Sequence, residues 1–434
     1  MLERSREGAG AALWLAALLT LAAPRAFAAK GDALDRMVKQ LRYEELEAAL
    51  PSLPAGIEHD YFAGILANRE GRAAESIDLL ENVIVKLKAE NPLRAAQALE
   101  TLSDNYVKVY RYNEAADTCT GLLQHFPKQL SRAERNSEKD DCATFNLLRN
   151  APAQTVTLDG PVVIPTHNSP LGSIDVQLAV NGVTASWLLD TGANFSVVSM
   201  TFAQRLGLKL SAKEAHVKGG VNGLSSPLRT AILPELNIGS ARFRNVVLLV
   251  MKDKDLTLPD AKGKKYVINA IAGFPVLHAL RSITFESGKF KANTEVHDAA
   301  SSARLFMNKL TPLLEASVTN KKLLFSFDTG ANGTQFSERY FEKFSAEVAS
   351  GRKAAQVTAG AGGSRRVEVY ILPEVKLAIG QQTVRLKNVS VFPFGVGTDF
   401  DDSFGNLGRD VVADFASFTL DFRRMRFFLG AQEH

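Results

Sequence analysis

Two aspartates, Asp190 and Asp328, stand out as residues placed to do chemistry. Each opens the tetrad Asp-Thr-Gly-Ala at the end of a mostly apolar run, Trp187-Leu188-Leu189 before the first and Phe325-Ser326-Phe327 before the second. Such a run entering a glycine turn reads as a buried strand that delivers one carboxylate. Asp, Thr and Gly are ordinary turn residues, so one tetrad alone says little. Two carboxylates brought together by like turns repel when both are ionised, and therefore share one proton. One acts as general base on a water held between them, and the other, protonated, donates to a carbonyl oxygen under attack. The roles exchange when the leaving amine takes its proton. Gly192 and Gly330 allow the tight turn, and the hydroxyls of Thr191 and Thr329 can reach across to fix the geometry. This chemistry requires no metal or cofactor. The seven histidines form no His-Glu-x-x-His group, and the two cysteines lack zinc spacing. No Gly-x-Ser-x-Gly elbow for a serine hydrolase is present.

The tetrads belong to a longer repeat. At one offset of 138 residues, Val180-Asn181-Gly182 also matches Val318-Thr319-Asn320. Each is a turn signal, so each Asp should follow the second strand of a hairpin. Downstream, Ile271-Ala272-Gly273-Phe274 matches Asn406-Leu407-Gly408-Arg409 at an offset of 135, and Thr284 then meets Thr419. Two homologous lobes follow, each with one Asp on one turn. Each lobe also carries a glycine-rich hairpin candidate after its Asp: Gly219-Gly220-Val221-Asn222-Gly223 in the first, Gly360-Ala361-Gly362-Gly363 in the second. Glycines there suit a mobile hairpin that closes over an extended substrate, or a plain flexible loop. Arg365-Arg366 is followed by no helix with a Walker lysine, which excludes a phosphate loop.

The rest of the chain must present these lobes. Residues 30–150 are helical in pattern, with apolar residues three and four apart. Two helix pairs place Ala74 and Ala116 in like positions, loosely similar to tetratricopeptide repeats, whose period is about 34. Such a domain serves either as a docking solenoid for a protein partner or as a cap on the β-rich part. Residues 151–170, rich in proline, read as a linker, and 291–304 as a joint between lobes at 171–290 and 305–434. Cys119 and Cys142 either pair, clipping two helices, or remain buried thiols.

At 434 residues the chain can bury two or three cores, and a net charge of +4 is too small and too dispersed for nucleic acid. Arg4 and Arg6 precede an apolar run, Ala11 to Ala23, and then Ala26-Phe27-Ala28. Residues 1–29 thus read as a signal peptide, or alternatively as a retained anchor. The expectation is a protein secreted across an inner membrane, with the periplasm as its compartment and no membrane segment once the signal is cleaved.

Residues 170 to 430 resemble the retropepsin-like aspartic proteases, and specifically the bacterial secreted kind with two lobes in one chain. The tetrads, the flap-like glycines and the turns at Ala272-Gly273 and Leu407-Gly408 carry that resemblance. It implies a multidomain chain: an N-terminal all-α helical-repeat domain followed by a mainly-β bilobal aspartic-protease fold. It further implies catalytic Asp190 and Asp328, bracing by Thr191 and Thr329, no cofactor, and endopeptidase action on extended peptide or protein substrates. Ala193 and Ala331 follow the retroviral form and not the Ser of pepsin, which implies a less acidic optimum. Asn194 and Asn332 replace a usual Asp, and the lysine-rich stretch Met251 to Tyr266 has no placed counterpart. A non-catalytic peptide-binding scaffold is the alternative, and so is a site assembled between two chains.

Overall fold

The computed structural model describes residues 31–218, 220, 222–260, 262–295, 301–360 and 362–433. The expected signal segment 1–29 lies outside the described residues, as do Gly219, Val221 and Ala361 of the glycine-rich hairpins. No described helix is long and apolar enough to cross a membrane.

The N-terminal region is all helix. Residues 31–39 are helical, followed by α1 (Tyr43–Ala49), α2 (Ile57–Arg69), α3 (Ala73–Glu90), α4 (Pro92–Lys108), α5 (Tyr112–His125) and α6 (Arg132–Leu147). Local chemistry sets the ends. Asn91 caps α4, whose first residue is proline, and Ser131 with Glu134 forms a capping box on α6. Gly71, at φ 73°, turns the chain between α2 and α3. Consecutive helices pack side by side, and Gly64 lets Leu80 approach so closely that a Cβ there would lie 2.7 Å from it. Cys119 of α5 and Cys142 of α6 are joined as a disulfide, with Cα atoms 5.7 Å apart. Closing a loop of 23 residues restricts the unfolded chain by about 3 kcal/mol. Reduction is therefore expected to lower the midpoint of helical unfolding in denaturant, and an unchanged midpoint would show that the bond constrains nothing.

The β-rich part holds two large sheets. In one, a hairpin of Ile174–Val180 and Val183–Leu189 turns at Asn181-Gly182, with φ 47° and 76°. In the other, Thr311–Val318 and Lys321–Phe327 turn at Thr319-Asn320, with φ 46° and 64°. Both are two-residue turns with left-handed residues, the conformation that matches strand twist. A third strand then enters parallel to the second. Ala270–Ala272 pairs Ala272 with Leu189, and Gly405–Leu407 pairs Leu407 with Phe327. Strand Ser196–Ser199 in one sheet and Gln335–Phe336 in the other flank it on the opposite side, and each runs into a short helix, α7 (Met200–Arg205) and α9 (Glu338–Lys343). Between them in sequence lies α8 (Phe274–Ala279).

The expected boundaries need correction. Residues 151–170 are not a free linker: Thr155–Leu158 pairs with Ala241–Met251, Val162–Pro165 with Lys289–Ala292, and His167–Asn168 with Ile174–Val180. The prolines that suggested a linker flank or end these short runs, where a missing N–H costs an edge strand nothing. Nor do the β-halves separate near residue 290. Ser282–Glu286 and Lys289–Ala292 join the sheet of the second half, where Ser282–Glu286 pairs with its own repeat, Ser417–Asp421. Thr284 meets Thr419 in register, with hydroxyls 2.8 Å apart, and Phe285 stacks on Phe418. Within 291–304, Ala292 ends one of these strands and Ala303 begins another, while residues 296–300 lie outside the described residues.

The helices sit against this part. Tyr43 packs on Phe306, Arg304 bridges Glu47 and Glu70, and Lys309 pairs with Asp141 of α6.

Candidate active site

Each Asp is placed by main-chain bonds from the strand inserted beside it. The N–H of Asp190 donates to the Ala272 carbonyl (3.1 Å), and that of Asp328 to Leu407 (3.0 Å). After the turns, Ala193 and Ala331 accept from the N–H groups of Phe274 (2.8 Å) and Arg409 (3.0 Å). Gly273 and Gly408 make this crossing feasible: a Cβ would lie 2.3 Å from the Phe195 carbonyl oxygen at the first and 2.8 Å from Gly333 main chain at the second. The two turns are thus built alike.

They also interlock. The Thr191 hydroxyl donates to the Phe327 carbonyl (2.8 Å) and accepts from the N–H of Thr329 (3.1 Å). In return the Thr329 hydroxyl donates to Leu189 (2.8 Å) and accepts from Thr191 (3.0 Å). Both threonines are fully buried, so none of these groups has water to turn to, and loss of any one is costly.

The carboxyls of Asp190 and Asp328 are neighbours, each set against the turn that carries the other. Each occupies the space a side chain would take at the opposite glycine. A Cβ on Gly192 would stand 2.4 Å from the Asp328 carboxyl carbon, and one on Gly330 would stand 2.6 Å from that of Asp190. Asp190 as a residue is only partly buried, but burial of its carboxyl is the largest cause raising its pKa well above the ordinary value, with the neighbouring Asp328 charge next. The pair therefore keeps one proton at pH values where an ordinary aspartate has lost its own. Main-chain donors serve both carboxyls: Gly192 reaches Asp190 at 2.8 Å, and Gly330 and Ala331 reach Asp328 at 2.7 and 3.1 Å.

One residue breaks the symmetry, and the motif reading missed it. Asn406 donates its amide to the second oxygen of Asp328 (3.1 Å) and is itself held by the Ser326 hydroxyl (2.7 Å). The first half has Ile271 at the matching position. A polar residue replacing isoleucine in an otherwise matching pattern was the available signal. Three donors suit Asp328 to carry the negative charge. A hydrogen bond to a charged group is worth about 1.5–3 kcal/mol, so Asn406→Ile is expected to lower kcat about ten- to a hundredfold. An unchanged kcat would show that the amide does not help hold the charge.

The glycine-rich segments form the tips of two long hairpins, Ala215–Lys218 with Ser225–Ile238 and Arg352–Gly360 with Gly363–Ile379. Of the residues expected there, Gly220, Asn222, Gly223, Gly360, Gly362 and Gly363 are described, and the tips meet. The Asn222 amide donates to the Gly363 carbonyl (2.9 Å), and the Gly362 N–H donates to the main-chain carbonyl of Asp255 in the turn Asp253–Leu256 (2.9 Å). Gly362 and Gly363 have φ of 88° and 116°, which a side chain would strain. A cavity of about 830 Å³ runs from the second Asp turn, at Gly330 to Asn332, past Gln356 and Thr358 of the second hairpin to Pro259. Cys119 and Cys142 lie in the helical region, apart from these residues. Among the described residues no group of His, Cys, Asp and Glu could hold a metal ion.

A family model described as aspartyl protease matches residues 176–263, which include the first tetrad and the first glycine-rich hairpin. No curated protein matches the chain. The chain is a multidomain protein, an N-terminal helical region followed by a β-rich region that is similar to aspartyl proteases over this stretch.

Proposed function

We propose that this protein is an aspartic peptidase with one intramolecular active site, formed by Asp190 and Asp328. The observation that carries this reading is the placement of each carboxyl against the opposite Asp turn, locked by the reciprocal threonine bonds. A water between the carboxyls loses a proton to Asp328 and adds to the scissile carbonyl carbon. Asp190 donates its proton to the carbonyl oxygen, which gives a neutral tetrahedral diol. Collapse returns a proton to the pair, breaks the C–N bond and protonates the amine. The substrate lies extended beneath the two hairpins. The two repeats around the Asp190 and Asp328 turns act in this reading as two retropepsin-like lobes that share the sheet of Ser282–Glu286 and Ser417–Asp421, with the tetratricopeptide-like helices as a cap that can also dock a protein partner. The N-terminal signal directs the chain to a bacterial periplasm.

Peptide-library digestion by the protein from residue 30 onward, across pH 3 to 8, tests the reading beside Asp190→Asn and Asp328→Asn. Cleavage by wild type alone supports it. Cleavage that survives either substitution points to another site or a contaminating peptidase, and none under any condition favours a peptide-binding scaffold.

A further inference from the structure

The two ends of the cleft are not alike. A peptide bond over the carboxyl pair sends one arm of the substrate past the second Asp turn and the other past the first. On the second-turn side, Asn332 donates to the Leu171 carbonyl (3.0 Å) and accepts from Arg409, yet it and Gly333 stay exposed, and the 830 Å³ cavity opens, bordered by Leu171 and Asp260. On the first-turn side, the corresponding residues are covered, and the cover reaches α6. Lys309 holds the place that Leu171 has in the repeat, and its ammonium pairs with Asp141 of α6 (2.8 Å) and with Asp399 (3.2 Å). Asp399 opens a 3-10 turn in the connection after strand Gln382–Val391, as Asp260 follows the short strand Thr257–Pro259 in the connection after Ala241–Met251. It also receives the Asn194 amide at 3.5 Å, and Asn194 accepts from Thr311. Asn194 is half-buried and Phe195 buried, against two exposed residues in the other turn. Helix α6 further leans on the first hairpin, where Lys218 pairs with Asp140 (3.3 Å).

We infer that α6 closes one arm of the cleft, so that the enzyme removes short pieces from one end of its substrate and does not cut long chains in the middle. This rests on the peptidase reading above. It makes Lys309 and the two α6 aspartates specificity-determining residues: they touch neither the reacting bond nor the shared proton, and set how many residues fit on one side.

The test is mass-spectrometric mapping of cut sites in random linear peptides of about 20 residues, an extended reach of about 66 Å, using the full protein. For wild type, cuts are expected within a few residues of the same terminus in every product. Lys309→Met removes the cation between carboxylates, and Asp140→Asn with Lys218→Gln loosens the hairpin contact. In each, interior cuts should rise about tenfold or more relative to terminal ones, while Lys309→Arg keeps the wild-type pattern. Thermal melts identify any variant that fails to fold, and the milder Asp140/Lys218 pair then decides. Wild-type cuts spread evenly along the peptides would overturn the inference and leave the peptidase reading intact. Wild-type silence with active Lys309→Met would overturn it in favour of plain inhibition by α6. No cuts by wild type or any variant removes the peptidase reading, and the inference falls with it.

Discussion

Asp190→Asn and Asp328→Asn each reduce peptide hydrolysis by roughly four orders of magnitude, the scale of losing one member of a catalytic unit. The two losses do not add, because either change removes the shared proton's exchange between the carboxyls. An amide at 328 cannot take the proton of the attacking water. One at 190 can still donate a hydrogen bond but cannot pass a proton to the carbonyl oxygen. The double variant should therefore be no slower than the singles, measured as kcat/KM on one peptide.

The pH dependence carries a sign. Burial and the Asp328 charge raise the Asp190 pKa well above 3.8, so the folded protein binds a proton that the unfolded chain has released. Stability contributed by this group is complete below the unfolded value of about 3.9. It is lost as pH rises through the raised folded value. Peptidase activity should extend upward over the same interval, because the pair keeps its proton there. Asp190→Asn should remove this part of the stability slope, as read from denaturation midpoints against pH. A slope unchanged in the variant would mean that Asp190 does not hold the proton.

Thr191→Val and Thr329→Val form the second large effect. Valine keeps the shape of threonine but removes one bond donated to the opposite strand and one accepted from the opposite turn. Each stranded buried partner costs about 1–3 kcal/mol, so each variant should lose about 2–5 kcal/mol in denaturant unfolding. Catalysis should fall further than stability suggests, since a displacement of about 1 Å between reacting groups costs about a hundredfold. Serine retains the hydroxyl, and Thr191→Ser should restore most of both. If valine and serine behave alike, the hydroxyl bonds are not what aligns the carboxyls.

Much of the site was legible as a repeat. Two Asp-Thr-Gly-Ala turns after apolar runs, two left-handed hairpin turns and two later glycines each have a local cause in side-chain size or backbone freedom. Asn406 was visible only as a mismatch with Ile271, because nothing in its neighbours says that it faces a carboxylate 78 residues away. The proline-marked stretch 151–170 misled for a similar reason. Proline punctuates a chain locally, whereas whether the runs between become strands depends on a distant edge such as Lys289–Ala292.

Residue order alone shows two equivalent turns, each opening on a carboxylate, and a helical region before them. These follow from periodicity and turn chemistry among adjacent residues. Folding in three dimensions is what sets each carboxyl against the opposite turn, raises the Asp190 pKa by burial, and ties α6 to Lys309. Those outcomes depend on burial and on charges brought from remote parts of the chain, as with Asp141 and Lys309, 168 residues apart.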